Sequence, residues 1–188
     1  MPASKIDKLS MENLGRISPE AYQNSEKIPV CLVLDNIRSL QNVGSFFRTG
    51  DGFRIAEIVL CGITGCPPHR DIEKTALGST ESVPYIYLKS NEEVISYLQK
   101  KGYSIYSLEQ TNKSIYLENF RPTLEKSYAF IFGNEVFGVQ QELLEISEGV
   151  LEIPQFGTKH SFNVSVSAGI VLWDYYLKTK GTLRTVPL

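Results

Sequence analysis

The sequence predicts an α/β protein with a mainly parallel sheet and helices on both of its faces. Three observations carry that expectation. Short continuous apolar runs, such as Val30-Cys31-Leu32-Val33-Leu34 and Tyr128-Ala129-Phe130-Ile131-Phe132, are those of strands buried on both sides. Segments of helical periodicity alternate with them. Polar, glycine-bearing stretches follow several strands directly, where open α/β sheets collect ligands.

The elements follow in order. Residues 1–28 are polar, and Ser18-Pro19-Glu20 reads as an N-cap followed by proline at the first helical position. A short lead-in helix is expected there. The first strand is expected at 30–34, a polar stretch at 36–41 and a helix at 43–53. A second strand at 58–60 is followed by a loop over 62–70, which contains two prolines. The third strand is 85–88. Asn91 is expected to cap a helix ending at Gly102, with Val94, Ile95 and Leu98 on one face. Strands at 103–108 and 128–132, a helix at 140–146 and a strand at 150–153 come next. The last helix, 164–177, has Val164, Ala168, Val171, Leu172 and Tyr175 on one stripe. The organisation expected is an extension over 1–28, one domain over 29–180 and a tail over 181–188.

Composition narrows the class. With 42% hydrophobic and 21% charged residues the chain is globular rather than disordered. Its 188 residues suffice for one sizeable core. No apolar run approaches the length of a membrane span, and the N-terminus lacks an apolar signal-peptide core, so neither is expected. Cys31, Cys61 and Cys66 are an odd, sparse set, which fits a reduced cytoplasmic compartment better than a disulfide framework. The spacing Cys61-x4-Cys66-x2-His69 is not a standard zinc pattern, so no metal is expected.

Three stretches lie at the carboxyl ends of strands. The first runs from Asp35 to Thr49 and holds Asn42 and Arg48. The second is Gly133-Asn134-Glu135-Val136-Phe137-Gly138. The third starts at Ile153 and reads Ser161-Phe162-Asn163-Val164-Ser165-Val166 before the last helix. Singly, each has a structural reading: Asn42 as a helix cap, Gly133-Asn134 as a turn, Ser161 and Asn163 as caps. Their joint position at one end of the sheet points instead to a shared site. No G-x-G-x-x-G follows the first strand, which disfavours a dinucleotide fold.

The three stretches resemble the three signature motifs of the SpoU, or TrmH-like, branch of the SPOUT methyltransferases. The first is similar to its N-x5-R motif, the second to G-N-E-x-x-G, and the third to I-P-M-x-G-x5-L-N-V-S-V. Gln155 stands where Met is common and Phe162 where Leu is common. The resemblance covers residues 30–178. It implies a C-terminal trefoil knot, S-adenosylmethionine as cofactor, and a homodimer whose sites are completed by the first motif. It also implies an RNA substrate, tRNA or rRNA, methylated at a ribose 2′-hydroxyl.

On that resemblance the catalytic candidates are Asn42, Arg48, Glu135, Ser161 and Asn163. The cofactor-binding candidates are Leu108, Glu109, Gly133, Asn134, Glu135, Gly138, Ile153, Phe162 and Asn163. Gly133 is expected to let the adenosine approach the backbone, and Ile153 and Phe162 to wall the adenine. Arg48 stays protonated, so phosphate gripping suits it better than a base role. The formal net charge of −2 lacks the basic excess common in nucleic-acid binders, so RNA contact needs a local or dimer-composite patch. Rival readings are a non-catalytic RNA-binding or ribosome-assembly factor, a base methyltransferase and a small-molecule methyltransferase.

Overall fold

The sheet has seven strands in the order β3-β2-β1-β6-β4-β7-β5, and every neighbouring pair is parallel. The computed structural model of the protein describes residues 6–10 and 12–179. The tail expected at 181–188 and the first five residues of the extension lie outside the described residues. The elements are α1 (Pro19–Asn24), β1 (Ile28–Asp35), α2 (Leu40–Phe53), β2 (Ile55–Cys61), α3 (Arg70–Ala76), α4 (Ser79–Ser82) and β3 (Tyr85–Leu88). They continue with α5 (Asn91–Lys101), β4 (Ser104–Leu108), β5 (Ile115–Tyr116), β6 (Tyr128–Phe132), α6 (Gln141–Glu145), β7 (Gly149–Glu152) and α7 (Val164–Lys178).

The two-residue period of a strand divides the interior into two layers. Leu32, Leu34, Ile58, Leu60, Phe130 and Phe132 point to one face and pack with α2, α3 and α7. Cys31, Val33, Val59, Ala129 and Ile131 point to the other, under Val94 and Leu98 of α5 and Leu143 of α6. The expected helices on both faces are therefore present. On the first face the Phe46 and Phe132 rings meet edge to face at 5.2 Å, the favoured geometry for aromatic pairs.

Several boundaries differ from expectation. Ser39 caps α2, accepting from the Asn42 amide at 3.2 Å, so the helix begins before Val43 and Asn42 sits in its first turn. Ser90, not Asn91, caps α5. The expected Ser18 cap accepts from the Ala21 amide. Two short helices, α3 and α4, and the two-residue strand β5 escaped the sequence reading. Tyr22 of the lead-in helix is buried, and its hydroxyl donates to the Ile55 carbonyl, which ties α1 to the core.

Register positions the functional edge. Leu34 pairs with Leu60 and Phe132, Phe132 with Leu108, and Leu108 with Leu151. The residues that leave these strands, Asp35, Gly133, Glu109 and Glu152, thus emerge along one edge.

Candidate active site

That edge begins with Asp35, a fully buried carboxylate. It accepts from the Gln140 amide at 2.8 Å, from Gln140 Nε2 at 2.7 Å and from Asn36 Nδ2 at 2.7 Å. These bonds satisfy a charge that would otherwise be costly to bury. They also fasten the chain after β1 to the chain after β6. Asn36 takes a left-handed conformation (φ 55°), a region that Asn tolerates, and its carbonyl accepts from Asn134 Nδ2 at 2.7 Å.

Residues 133–138 form a closed loop. The Asn134 and Gly138 backbones exchange bonds of 3.0 and 2.9 Å, and Asn134 Oδ1 accepts from the Val136 and Phe137 amides. A Cβ on Gly133 would lie 2.1 Å from both the Gly138 carbonyl carbon and the Val139 nitrogen. The closure of the loop itself thus calls for glycine at 133. Gly138 has φ 72°, and a Cβ there would meet Glu109 Oε2 at 2.2 Å. Glu109 in turn accepts from the Val139 amide at 3.1 Å and from the Gln110 amide at 2.8 Å, joining β4 to the loop.

Glu135 crosses to the start of α2. Its carboxylate accepts from the Arg38 amide at 3.0 Å, the Ser39 amide at 3.1 Å and Asn42 Nδ2 at 3.0 Å. Burial raises its pKa, but these hydrogen bonds to the charged form outweigh it and hold the carboxyl below its ordinary range. Asn42 Oδ1 then accepts from Asn163 Nδ2 at 3.1 Å. Asn163 caps α7 through Oδ1, which accepts from the Ser165 amide at 2.9 Å and Ser165 Oγ at 2.7 Å. One oriented chain, Ser165 to Asn163 to Asn42 to Glu135, thus links all three sequence stretches.

Beside it opens a cavity of about 460 Å3, within the range of small-molecule sites. Leu108, Leu151, Ile153 and Phe162 give it apolar walls, and Glu109, Asn134, Glu135, Ser161 and Asn163 a polar rim. The structure so brings together all nine candidates for cofactor contact, with Ser161. It also brings in Gln110 and Glu152, which the sequence reading did not single out. Only their positions just past β4 and at the end of β7 could have signalled them. Asn42 joins through its hydrogen bonds. Arg48 does not line the cavity: it is exposed on α2, with no hydrogen bond or ion pair to the described residues.

The cysteine–histidine spacing resolves into separate structural roles. Cys61 Sγ bonds Asn91 Oδ1, Cys66 Sγ bonds the Thr64 carbonyl, and His69 Nδ1 caps α3. No group of three or more potential metal ligands occurs among the described residues. No helix among them is long and apolar enough to cross a membrane.

A parallel α/β sheet with a satisfied polar chain and an apolar-walled cavity at its carboxyl edge defines a ligand-binding protein of the open-sheet class. The profile of the SpoU rRNA Methylase family matches residues 29–173, and the chain belongs to that family. Over 153 residues it is 30% identical to the 23S rRNA (guanosine-2′-O-)-methyltransferase RlmB of Neisseria meningitidis serogroup B, covering 81% of this chain and 60% of that protein. Over 148 residues it is 29% identical to the tRNA (guanosine(18)-2′-O)-methyltransferase of Borreliella burgdorferi, covering 79% and 66%. The AdoMet-bound rRNA methyltransferase of Sinorhizobium meliloti superposes with a TM-score of 0.76 at 23% identity, over 87% of this chain and 62% of that one. The chain therefore spans about three fifths of the length of the first of these relatives.

Proposed function

We propose that this protein transfers a methyl group from S-adenosylmethionine to a ribose 2′-hydroxyl of tRNA or rRNA, in the cytoplasm. The observation that carries the reading is the hydrogen-bonded chain from Glu135 through Asn42 to Asn163, at the mouth of the apolar-walled cavity. The relatives named for tRNA and rRNA (guanosine-2′-O) methylation support the substrate class.

The cavity suits the cofactor. Leu108, Leu151, Ile153 and Phe162 offer apolar surface to an adenine, and the carboxylates of Glu109 and Glu135 sit where a cationic group would be favoured. S-adenosylmethionine supplies an electrophilic methyl group when bound. The remaining work falls to the chain. Glu135 and Asn42 hold the first turn of α2 against the cavity. Ser161 and Asn163 shape the space between cofactor and ribose. Arg48 grips an RNA phosphate through its planar fork of donors and orients the ribose; that phosphate or a water accepts the 2′ proton.

The same reading includes a homodimer and a C-terminal trefoil knot. Arg48 lies outside its own chain's cavity, which fits a site completed across a subunit boundary. Thr49, the residue after Arg48, packs near Gly169 of α7. On α7, Val166, Ile170, Trp173 and Leu177 recur at helical spacing, and Val166, Trp173 and Leu177 are 51%, 53% and 40% exposed. Such a stripe suits burial against a second copy. For the knot, support comes from the 153–163 segment. It follows β7 and runs past Gln110, which donates to the His160 carbonyl at 2.7 Å, before entering α7.

The test is methyl transfer from labelled S-adenosylmethionine to unmodified tRNA and rRNA transcripts. Arg48→Ala should lose at least about a hundredfold in rate, as when a charge-stabilising group is removed. Arg48→Lys should recover little, and cofactor affinity should stay near wild type in both. Full activity in Arg48→Ala would refute the assigned role. Loss of cofactor binding would move Arg48 into the cofactor pocket.

A further inference from the structure

Next to the first cavity lies a second, of about 340 Å3, that shares Gln110, Glu152 and Gln155 with it. Gln110 Nε2 and Gln155 Nε2 both donate to the His160 carbonyl, at 2.7 and 3.5 Å, so these amides stand between the two spaces. Two aromatic side chains line the second cavity. Phe156 is 97% exposed and Tyr116 is 50% exposed. Neither ring makes an aromatic contact among the described residues. A single exposed ring needs no explanation, but two lining one cavity beside a ligand site form a ready stacking platform. Single-stranded RNA bases are recognised in this way, stacked on aromatic rings and read along their Watson–Crick edges.

The polar groups select the base. Glu118 and Glu152 line the cavity with Lys159. Two carboxylates beside one ammonium disfavour a phosphate. Glu152 is the better placed of the two carboxylates: Ser114 Oγ donates to its Oε2 at 2.5 Å, which fixes the group, and the residue faces both cavities. A carboxylate only accepts hydrogen bonds. Among the four bases, guanine alone presents two adjacent donors on its Watson–Crick edge, N1–H and the N2 amine. Adenine, cytosine and uracil place acceptors beside their donors there.

We propose that the cavity lined by Tyr116, Phe156 and Glu152 is a nucleobase subsite that holds a guanine of the RNA, its ring stacked on Phe156 and its donor edge on Glu152. The inference rests on the proposed RNA methylation and adds to it the residues that choose the nucleoside. Because the subsite adjoins the cofactor cavity, the base it holds is that of the methylated nucleotide.

The experiment uses unmodified tRNA and rRNA transcripts, the full chain and labelled S-adenosylmethionine, followed by mapping of the labelled nucleoside. In the wild type the label should appear in guanosine. Phe156→Ala, at an exposed position where folding is not at stake, should raise KM for the transcript about tenfold, the order of one lost base stack. Its kcat and cofactor affinity should hold near wild type, and Phe156→Tyr should restore KM. Replacing the target guanosine by inosine, which lacks the N2 amine, should slow the wild type but cause no further loss in Glu152→Gln. Unchanged KM in Phe156→Ala, or equal sensitivity of wild type and Glu152→Gln to inosine, would overturn the subsite while methylation itself stood. Label in another nucleoside would overturn the guanine assignment. No labelled RNA from the wild type would remove the proposed function and the subsite with it.

Discussion

Glu135 meets three donors, two from backbone and one from Asn42, so its charge organises the approach of one loop to one helix. Glu135→Gln places an amide nitrogen against at least one of those donors. Hydrogen exchange at the Arg38 and Ser39 amides should quicken at least about tenfold, the measure of one charge-assisted bond. The sign with pH follows from the direction of the shift. The folded carboxyl titrates below its ordinary 4.5, so its ordering effect is present above that value and is lost as pH falls through the folded pKa. Exchange at the same amides should therefore rise in acid in the wild type and change little in Glu135→Gln. A residue-by-residue reading of the sequence could name Glu135 as a holder of loops, because a carboxylate amid turn residues seeks backbone donors. It could not name the donors, since Arg38 and Ser39 lie nearly a hundred residues away along the chain. Gly133 was legible as a position that needs glycine, but its crowding by Gly138 and Val139 was not, since only the closed loop brings those atoms there.

At the scale of elements, the packing of α2 on α3 depends on a close approach. A Cβ on Gly44 would lie 2.1 Å from Thr75 Oγ1 and 2.2 Å from the Ile72 carbonyl oxygen. The threonine can rotate, but the carbonyl belongs to the α3 backbone. Gly44→Ala should destabilise the fold by about 1–3 kcal/mol through overpacking, or roughly 2–4 °C in Tm per kcal/mol for a chain of this size. Thermal unfolding followed by circular dichroism reads this directly, and an unchanged Tm would mean that the helices separate freely. The long strands and α2, α5 and α7 were legible because continuous apolar runs and helical stripes repeat over many residues. Seven-residue α3 and four-residue α4 carry too few turns to show a period, and β5 exists only because β7 offers it an edge. Asn42 looked like a cap from sequence. Ser39 takes that role, which frees the Asn42 side chain for Glu135 and Asn163.

For the whole molecule, the apolar stripe of α7 and the exposed Arg48 make one expectation. Sedimentation at micromolar concentration should give twice the 21.1 kDa of the chain. Trp173→Glu, which sets a charge in the centre of the stripe, should yield monomer that keeps its fold and loses methyl transfer, because Arg48 would no longer reach a partner's cavity. A fully active monomer would contradict both the dimer and the shared site. The net charge of −2 is consistent with this scale of assembly, since RNA contact then depends on where basic residues gather rather than on their excess.

The central claim is that the methyl group reaches a ribose oxygen of RNA, and alkaline hydrolysis tests it most directly. Cleavage of RNA by base requires a free 2′-hydroxyl, so a 2′-O-methylated nucleotide stays joined to its neighbour. Transcripts labelled by this protein and digested with alkali should release the label in resistant dinucleotides. Label released in mononucleotides would identify a base as the acceptor, and transcripts without label would contradict RNA methylation altogether.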